Sequence, residues 1–280
     1  MNLDPREHAY RKDVADEALA GQVDSARFVR PSPHRLSGWR SEMMLAAPQD
    51  GAVAVSELLP GERFDVVDLP DGWAWGYSQH DHYVGYVRAE HLSSDLPEPS
   101  RRITAPTALR FSAPDIKTAV RGTLPMMARI AAEPFDDRFL RLEDGSFVHR
   151  RHVGDLASAP NDPVAVAKHF LGTPYRWGGR QRAGIDCSGL IQIVLGACGI
   201  AAPRDSDQQR DRLGQDVRNR EREAGDIVFF PGHVGILVDK ANLLHANATF
   251  MTTMIEPLVD VVERMSAEHS DPVSAIKRVP

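Results

Sequence analysis

The chain reads as an α+β protein, with small β-barrels over its first half and a mixed helix-and-strand domain over its second. Three observations predict this. Between about Arg27 and Ser94, short β-branched or aromatic runs are separated by Pro60-Gly61, Pro70-Asp71-Gly72 and His80-Asp81-His82. A second series of short runs continues from Arg102 to about Leu156. From Cys187 onward, a single apolar helix face is followed by two strand-like runs that each hold a histidine.

Taken in order, residues 1–25 are expected to form a helical arm, with Asp13-Val14-Ala15-Asp16-Glu17-Ala18-Leu19-Ala20 ahead of Gly21. Over 26–95 the runs Ala52–Val55, Phe64–Val67, Trp73–Tyr77 and Tyr83–Val87 have the length and spacing of a small barrel. Ser93 to Ser100, with Pro97 and Pro99 among acidic and small residues, reads as a linker. Residues 101–157, with turns at Ala113-Pro114-Asp115 and Glu143-Asp144-Gly145, read as a second, more divergent barrel. The last domain spans 163–280, and its first helix is expected over Val164 to Leu171, capped by Asp162 with Pro163 at its first position.

The informative helix comes next. Cys187, Leu190, Ile191, Val194, Leu195 and Cys198 recur at the i, i+3, i+4, i+7 spacing of one face, which sets Cys187 in the first turn. Unpaired N–H groups and the positive end of the macrodipole favour a thiolate there, and the thiolate is the attacking species. The same pattern also suits a small buried core cysteine. What favours the nucleophile is the company downstream, His233 in Pro231–Val238 and His245 in Leu243–Asn247, since a cysteine nucleophile needs a base and a group that orients it.

At 280 residues and 42% apolar, the chain exceeds one usual domain and is of ordinary globular composition. Its net charge of −6, with no basic stretch, argues against nucleic acid. Arg176, Arg180, Arg182 and Arg204 are either a local cluster suited to a carboxylate-rich ligand or scattered surface arginines. Two cysteines eleven residues apart on one helix face do not bridge each other. Reduced thiols, charge at the N-terminus where a signal peptide has its apolar core, and no run of membrane-spanning length lead to the expectation of a cytoplasmic protein without a membrane partner. His80, His82, His149, His152 and His169 have no recurring ligand spacing, and no phosphate-binding glycine loop is present, so neither metal nor cofactor is expected.

The segments Gly172–Gly179, Asp186-Cys187-Ser188-Gly189-Leu190, Pro203–Ser206, Gly225–Phe230, His233–Ile236 and Leu244-His245-Ala246 occur in the order and spacing of the NlpC/P60 cysteine peptidases. This resemblance implies a papain-like catalytic domain with Cys187 as nucleophile, His233 as general base and His245 as the residue orienting it. It places Tyr175, Trp177, Asp186, Ser188, Asp205 and Ser206 along the substrate groove, Asp205 being the first choice for a substrate ammonium. Tyr175 suits either an oxyanion donor or a groove wall. The pattern Leu58–Glu62, Gly72–Trp75 and Tyr83–Val87 resembles a bacterial SH3 domain, and the two barrels together resemble a tandem SH3-like pair. The first would contribute Glu62 and Tyr83 to the same amine, although Glu62 also suits a solvated turn and Tyr83 a barrel core.

The combination resembles endopeptidases of cell-wall peptide recycling. It implies hydrolysis of the bond between γ-D-glutamate and a diamino acid, meso-diaminopimelate or lysine, in small muropeptides with a free N-terminal L-alanine. No obligate protein partner is implied. Two other classes compete: a wall-fragment binding module with a silent peptidase domain, and a different amidase or acyltransferase on the same fold.

Overall fold

A computed structural model of the chain describes residues 3–280. The chain divides into two compact units, one ending at Leu156 and the other beginning at Ala157. No helix among the described residues is long and apolar enough to cross a membrane.

The first unit is built from strands. A seven-stranded antiparallel sheet takes the order Ala54–Leu58, Glu42–Leu45, Val84–Arg88, Trp73–Ser78, Arg63–Asp68, Ser32–Leu36, Leu92–Ser93. It closes on Leu36, Met44, Leu58, Phe64, Val66, Ala74, Tyr83 and Val87. The Pro70-Asp71-Gly72 turn lies where expected, with Asp71 and Gly72 both at positive φ. Residues 101–155 form five-stranded and three-stranded sheets around a separate core of Ile103, Ala108, Leu124, Ala128, Ile130, Leu140, Leu142 and Val148.

The expected helical arm over 1–25 does not form. Of that segment, Met1 and Asn2 lie outside the described residues; beyond them stand a short strand, Ala15–Asp16, and a single 3-10 turn, Glu17–Leu19. The physical reason is that Asp16 accepts the Ala18 N–H at 2.9 Å, capping the turn at once, while Gly21 adopts φ 80°. Val14 is buried with Ala9, Val67 and Trp75, and Ala15 pairs in parallel with Phe28. Tertiary burial therefore overrides local helix propensity.

The second unit places helices against one sheet. Helix α1 (Pro163–Lys168) starts on Asp162, whose Oδ1 accepts the Ala165 N–H at 2.9 Å, with Pro163 at its first position. Helices α2 (Cys187–Ala197), α3 (Ser206–Arg212) and α4 (Leu258–Ser266) follow. The strands are β1 (Gln215–Asp216), β2 (Ile227–Phe230), β3 (His233–Leu237), β4 (Asn242–Asn247), β5 (Thr252–Pro257) and β6 (Ala275–Arg278), in sheet order β1-β6-β2-β3-β4-β5, all antiparallel. Helix α2 is buried almost along its whole length and packs on β3 and β4. This packing brings the first turn of α2 to the two histidine strands.

Candidate active site

Cys187 is the first residue of α2, and Asp186 is its cap. The Asp186 Oδ1 accepts the Gly189 N–H at 2.7 Å, and its Oδ2 accepts the Gly178 N–H at 2.8 Å. The wholly buried Arg204 guanidinium grips the same carboxylate as a fork, Nη1 to Oδ1 at 3.0 Å and Nη2 to Oδ2 at 2.6 Å. Arg204 Nη1 also donates to Ser188 Oγ at 2.9 Å. Asp186 thus caps the helix, ties down the 172–179 loop and neutralises a buried cation. Arg204 is a structural cation, not a surface one, and Arg180 is also buried.

The hairpin between β2 and β3 sets the position of His233. Phe230 pairs with His233 across Pro231-Gly232, and Gly232 has φ 67°, the pattern of a type II turn with proline at its second position and glycine at its third. His233 is therefore the first residue of β3, and the next N–H, that of Val234, points at the Cys187 sulfur. His233 Nε2 lies 2.7 Å from His245 Nδ1. The two rings are edge to face, 5.0 Å between centroids. Gly235 permits this approach, because a Cβ there would stand 2.8 Å from Leu243 Cγ and 3.0 Å from His245 Cβ.

Behind His245 stands a residue that sequence reasoning missed. His245 Nε2 is 2.7 Å from Glu256 Oε2. Glu256 is held in turn by Arg264, Nη1 to Oε1 at 3.1 Å and Nη2 to Oε2 at 2.9 Å, and by Asn247 Nδ2 to Oε2 at 2.9 Å. Sequence reading gave His245 no carboxylate partner. One is present because β4 and β5 pair with Leu243 opposite Glu256 and His245 opposite Met254, which makes His245 and Glu256 diagonal neighbours on one face. The available signal was a charged residue between exposed Ile255 and Pro257, readable only once the hairpin register is known.

The electrostatics correct one expectation. The helix terminus was expected to favour the Cys187 thiolate. Burial and the neighbouring Asp186 carboxylate instead push the thiol up to about 12, outweighing the N–H groups of Val234 and Ser188 and the Arg204 charge. Burial likewise pushes His233 down to about 3, helped by His245 and Arg264 and opposed by Glu256. The resting pair is therefore an uncharged thiol beside an uncharged imidazole. Burial opposes the Glu256 charge, but hydrogen bonds from Arg264 and His245 hold its pKa below the ordinary carboxylate value. Tyr175 is pushed up by burial and by Cys187 and Asp186, so its hydroxyl remains a donor beside the sulfur.

The other expected residues are distributed as follows. Trp177 is well exposed in the 172–179 loop. Asp205 caps α3 in a reciprocal box with Gln208, and Ser206 is the first residue of that helix. Gln209 Nε2 donates to Ser188 O at 2.9 Å, which ties the start of α3 to the first turn of α2. Glu62 and Tyr83 belong to the first unit. Glu62 is buried, its Oε2 accepting the Leu59 N–H at 2.8 Å, and Tyr83 is packed in the core of the seven-stranded sheet.

Comparison with known proteins agrees with this arrangement. Residues 172–264 match the NlpC/P60 family, and residues 44–92 match the bacterial dipeptidyl-peptidase SH3 domain. A gamma-D-glutamyl-L-lysine dipeptidyl-peptidase of Bacillus cereus is 29% identical over 236 residues, covering 72% of this chain and 70% of the relative. One of the same name from Bacillus subtilis is 27% identical over 199 residues, covering 64% of this chain and 65% of the relative. In fold, the chain is similar to the crystal structure of an NlpC/P60 family protein from Bacillus cereus, with a TM-score of 0.74 at 19% identity over 89% of this chain and 100% of that one. The chain is a cysteine peptidase that carries an NlpC/P60 domain over residues 172–264, with a bacterial SH3-type domain over residues 44–92 ahead of it.

Proposed function

We propose that the chain hydrolyses the amide joining γ-D-glutamate to a diamino acid in small cell-wall peptides that carry a free N-terminal L-alanine. The observation that carries this reading is the thiol of Cys187 at the start of α2, its sulfur met by the Val234 N–H, one residue after a His233 that is bonded to His245. The two Bacillus relatives, whose printed names specify a γ-D-glutamyl-L-lysine bond, support the bond class.

The chemistry follows from an uncharged resting pair. As Cys187 Sγ attacks the γ-carbonyl carbon, its proton passes to His233, and the carbonyl oxygen becomes an oxyanion. The Cys187 N–H, free of intrahelical bonding at the first helical position, and the Tyr175 hydroxyl are the donors we assign to it. Collapse of this adduct breaks the C–N bond, and His233 returns the proton to the departing amine. A water then gives a proton to His233 and attacks the thioester, releasing L-Ala-γ-D-Glu and restoring the thiol. We assign the substrate ammonium to Asp205, whose helix is tied to the first turn of α2. We also read residues 101–157 as a second SH3-like domain, on their own core and short antiparallel strands. A sequence with only two cysteines has no disulfide framework, which suits a reducing compartment, and we place the reaction in cytoplasmic recycling of wall peptides.

The test is a mass-spectrometric digest of L-Ala-γ-D-Glu-meso-diaminopimelate, its lysine counterpart, and each with an acetylated amine, using wild type and Cys187→Ala. Release of L-Ala-γ-D-Glu from the free-amine peptides alone, lost in the variant, is the expected outcome. Cleavage of acetylated peptides would remove the amine requirement, and cleavage of none would turn attention to a binding module or another amidase.

A further inference from the structure

The catalytic reading of Cys187 and His233 needs only a base and an orienting partner, yet the site continues for two more residues. We propose that Glu256, clamped by Arg264, is a positioning residue that sets the tautomer of both imidazoles and leaves Nδ1 of His233 as the bare base. This inference rests on Cys187 and His233 acting as nucleophile and base.

The argument is one of donors and acceptors. An ionised carboxylate accepts and never donates, so the 2.7 Å contact between Glu256 Oε2 and His245 requires the proton on His245 Nε2. A neutral imidazole protonated at Nε2 carries its lone pair at Nδ1. That lone pair faces His233 Nε2 at 2.7 Å, so His233 must donate from Nε2. His233 Nδ1 is then without a proton, and it is the ring nitrogen left to receive one from the thiol. The carboxylate thus fixes the state of a ring it does not touch.

The surroundings are built to keep Glu256 ionised and still. Its Oε2 takes three donors, from His245, Asn247 and Arg264, and its Oε1 takes the second arm of the Arg264 fork. Arg264 itself lies over the Phe250 ring, 5.4 Å from its centroid. The ionisable groups acting on His233 are His245 from β4, Arg264 from α4 and Glu256 from β5, while Asp186 and Arg204 act on Cys187. When the thiol proton reaches His233, the Glu256 carboxylate stabilises the new positive charge electrostatically, which raises the basicity of His233 against the effect of burial.

Two substitutions separate positioning from mere packing. In Glu256→Gln, the amide oxygen can occupy the crowded Oε2 place and still accept from His245, so the tautomers persist. In Glu256→Leu no acceptor remains, and Asn247 Nδ2, already 3.4 Å from His245 Nε2, becomes a donor to it. His245 then carries its proton on Nδ1, His233 accepts at Nε2 and carries its own proton on Nδ1, and the base is lost.

Imidazole ¹⁵N spectra of the wild type, with His233 and His245 assigned by single substitution, read the tautomers without any substrate. Both rings are expected as Nε2–H, unchanged in Glu256→Gln and reversed to Nδ1–H in Glu256→Leu. With the γ-glutamyl peptide, kcat should fall about a hundredfold or more in Glu256→Leu and far less in Glu256→Gln. A wild-type His233 protonated at Nδ1 overturns the proposal, as does a folded Glu256→Leu protein with wild-type tautomers and kcat. Should Glu256→Leu fail to fold, the wild-type spectrum still decides. Should the peptide prove not to be a substrate, the spectra remain readable and only the proposed substrate fails.

Discussion

Arg204 is a large side chain without exposure to water, and both arms of its guanidinium are spent on Asp186 and Ser188. Removing one member of such a pair leaves the other charge buried and alone, which costs about 3–5 kcal/mol. Arg204→Met should therefore lower the unfolding free energy measured in urea by an amount of that order. Arg204→Lys should also be harmful, because a single ammonium cannot match the fork. At this scale the proposed trio could be named from sequence: Cys187, His233 and His245 stand out by residue type within apolar runs, and the structure brings the histidines to 2.7 Å. Glu256 and Arg264 were not, because nothing in Ile255-Glu256-Pro257 distinguishes an inward carboxylate from a solvated one. The sign of the thiol's shift was also hidden. Helix position argues for a thiolate, but burial, which depends on the whole sheet, argues more strongly against it.

Among the elements, the β3–β4 pair carries the site, and Gly235 is the point of closest approach. A methyl group there would meet Leu243 Cγ at 2.8 Å and His245 Cβ at 3.0 Å. Gly235→Ala should destabilise the fold by about 1–3 kcal/mol through overpacking. It should also lower kcat with little change in KM, since the strand that moves holds His245 and not the groove loop; steady-state kinetics alongside thermal melting would check both. Helix α2 was legible from its periodicity, and α1 from its Asp162-Pro163 start. The arm before residue 26 was misread because its helical composition is local, whereas Val14 and Ala15 are claimed by burial. Propensity has no term for a neighbouring core.

For the molecule as a whole, acid is the vulnerable direction. Burial lowers the pKa of His152, His233 and His245 below the ordinary 6.5. In the unfolded chain these imidazoles take up protons as the pH falls through 6.5, while the native chain refuses them. Stability is thus fully present above 6.5 and is lost progressively as pH drops below it, for His233 down to about 3. The melting temperature should already decline between pH 6.5 and 5, ahead of most carboxylates, and the slope should be shallower in His233→Gln. The division into a strand-built unit and a helix-and-sheet unit was legible from turn spacing.

An uncharged Cys187 has a consequence outside the catalytic cycle. Peroxide reacts with thiolates, so a sulfur kept protonated between turnovers is slow to enter the path from sulfenic to irreversible sulfinic acid. The burial that opposes early ionisation therefore also acts as protection: the enzyme should withstand storage in air and oxidative stress better than a cysteine peptidase that rests as an ion pair.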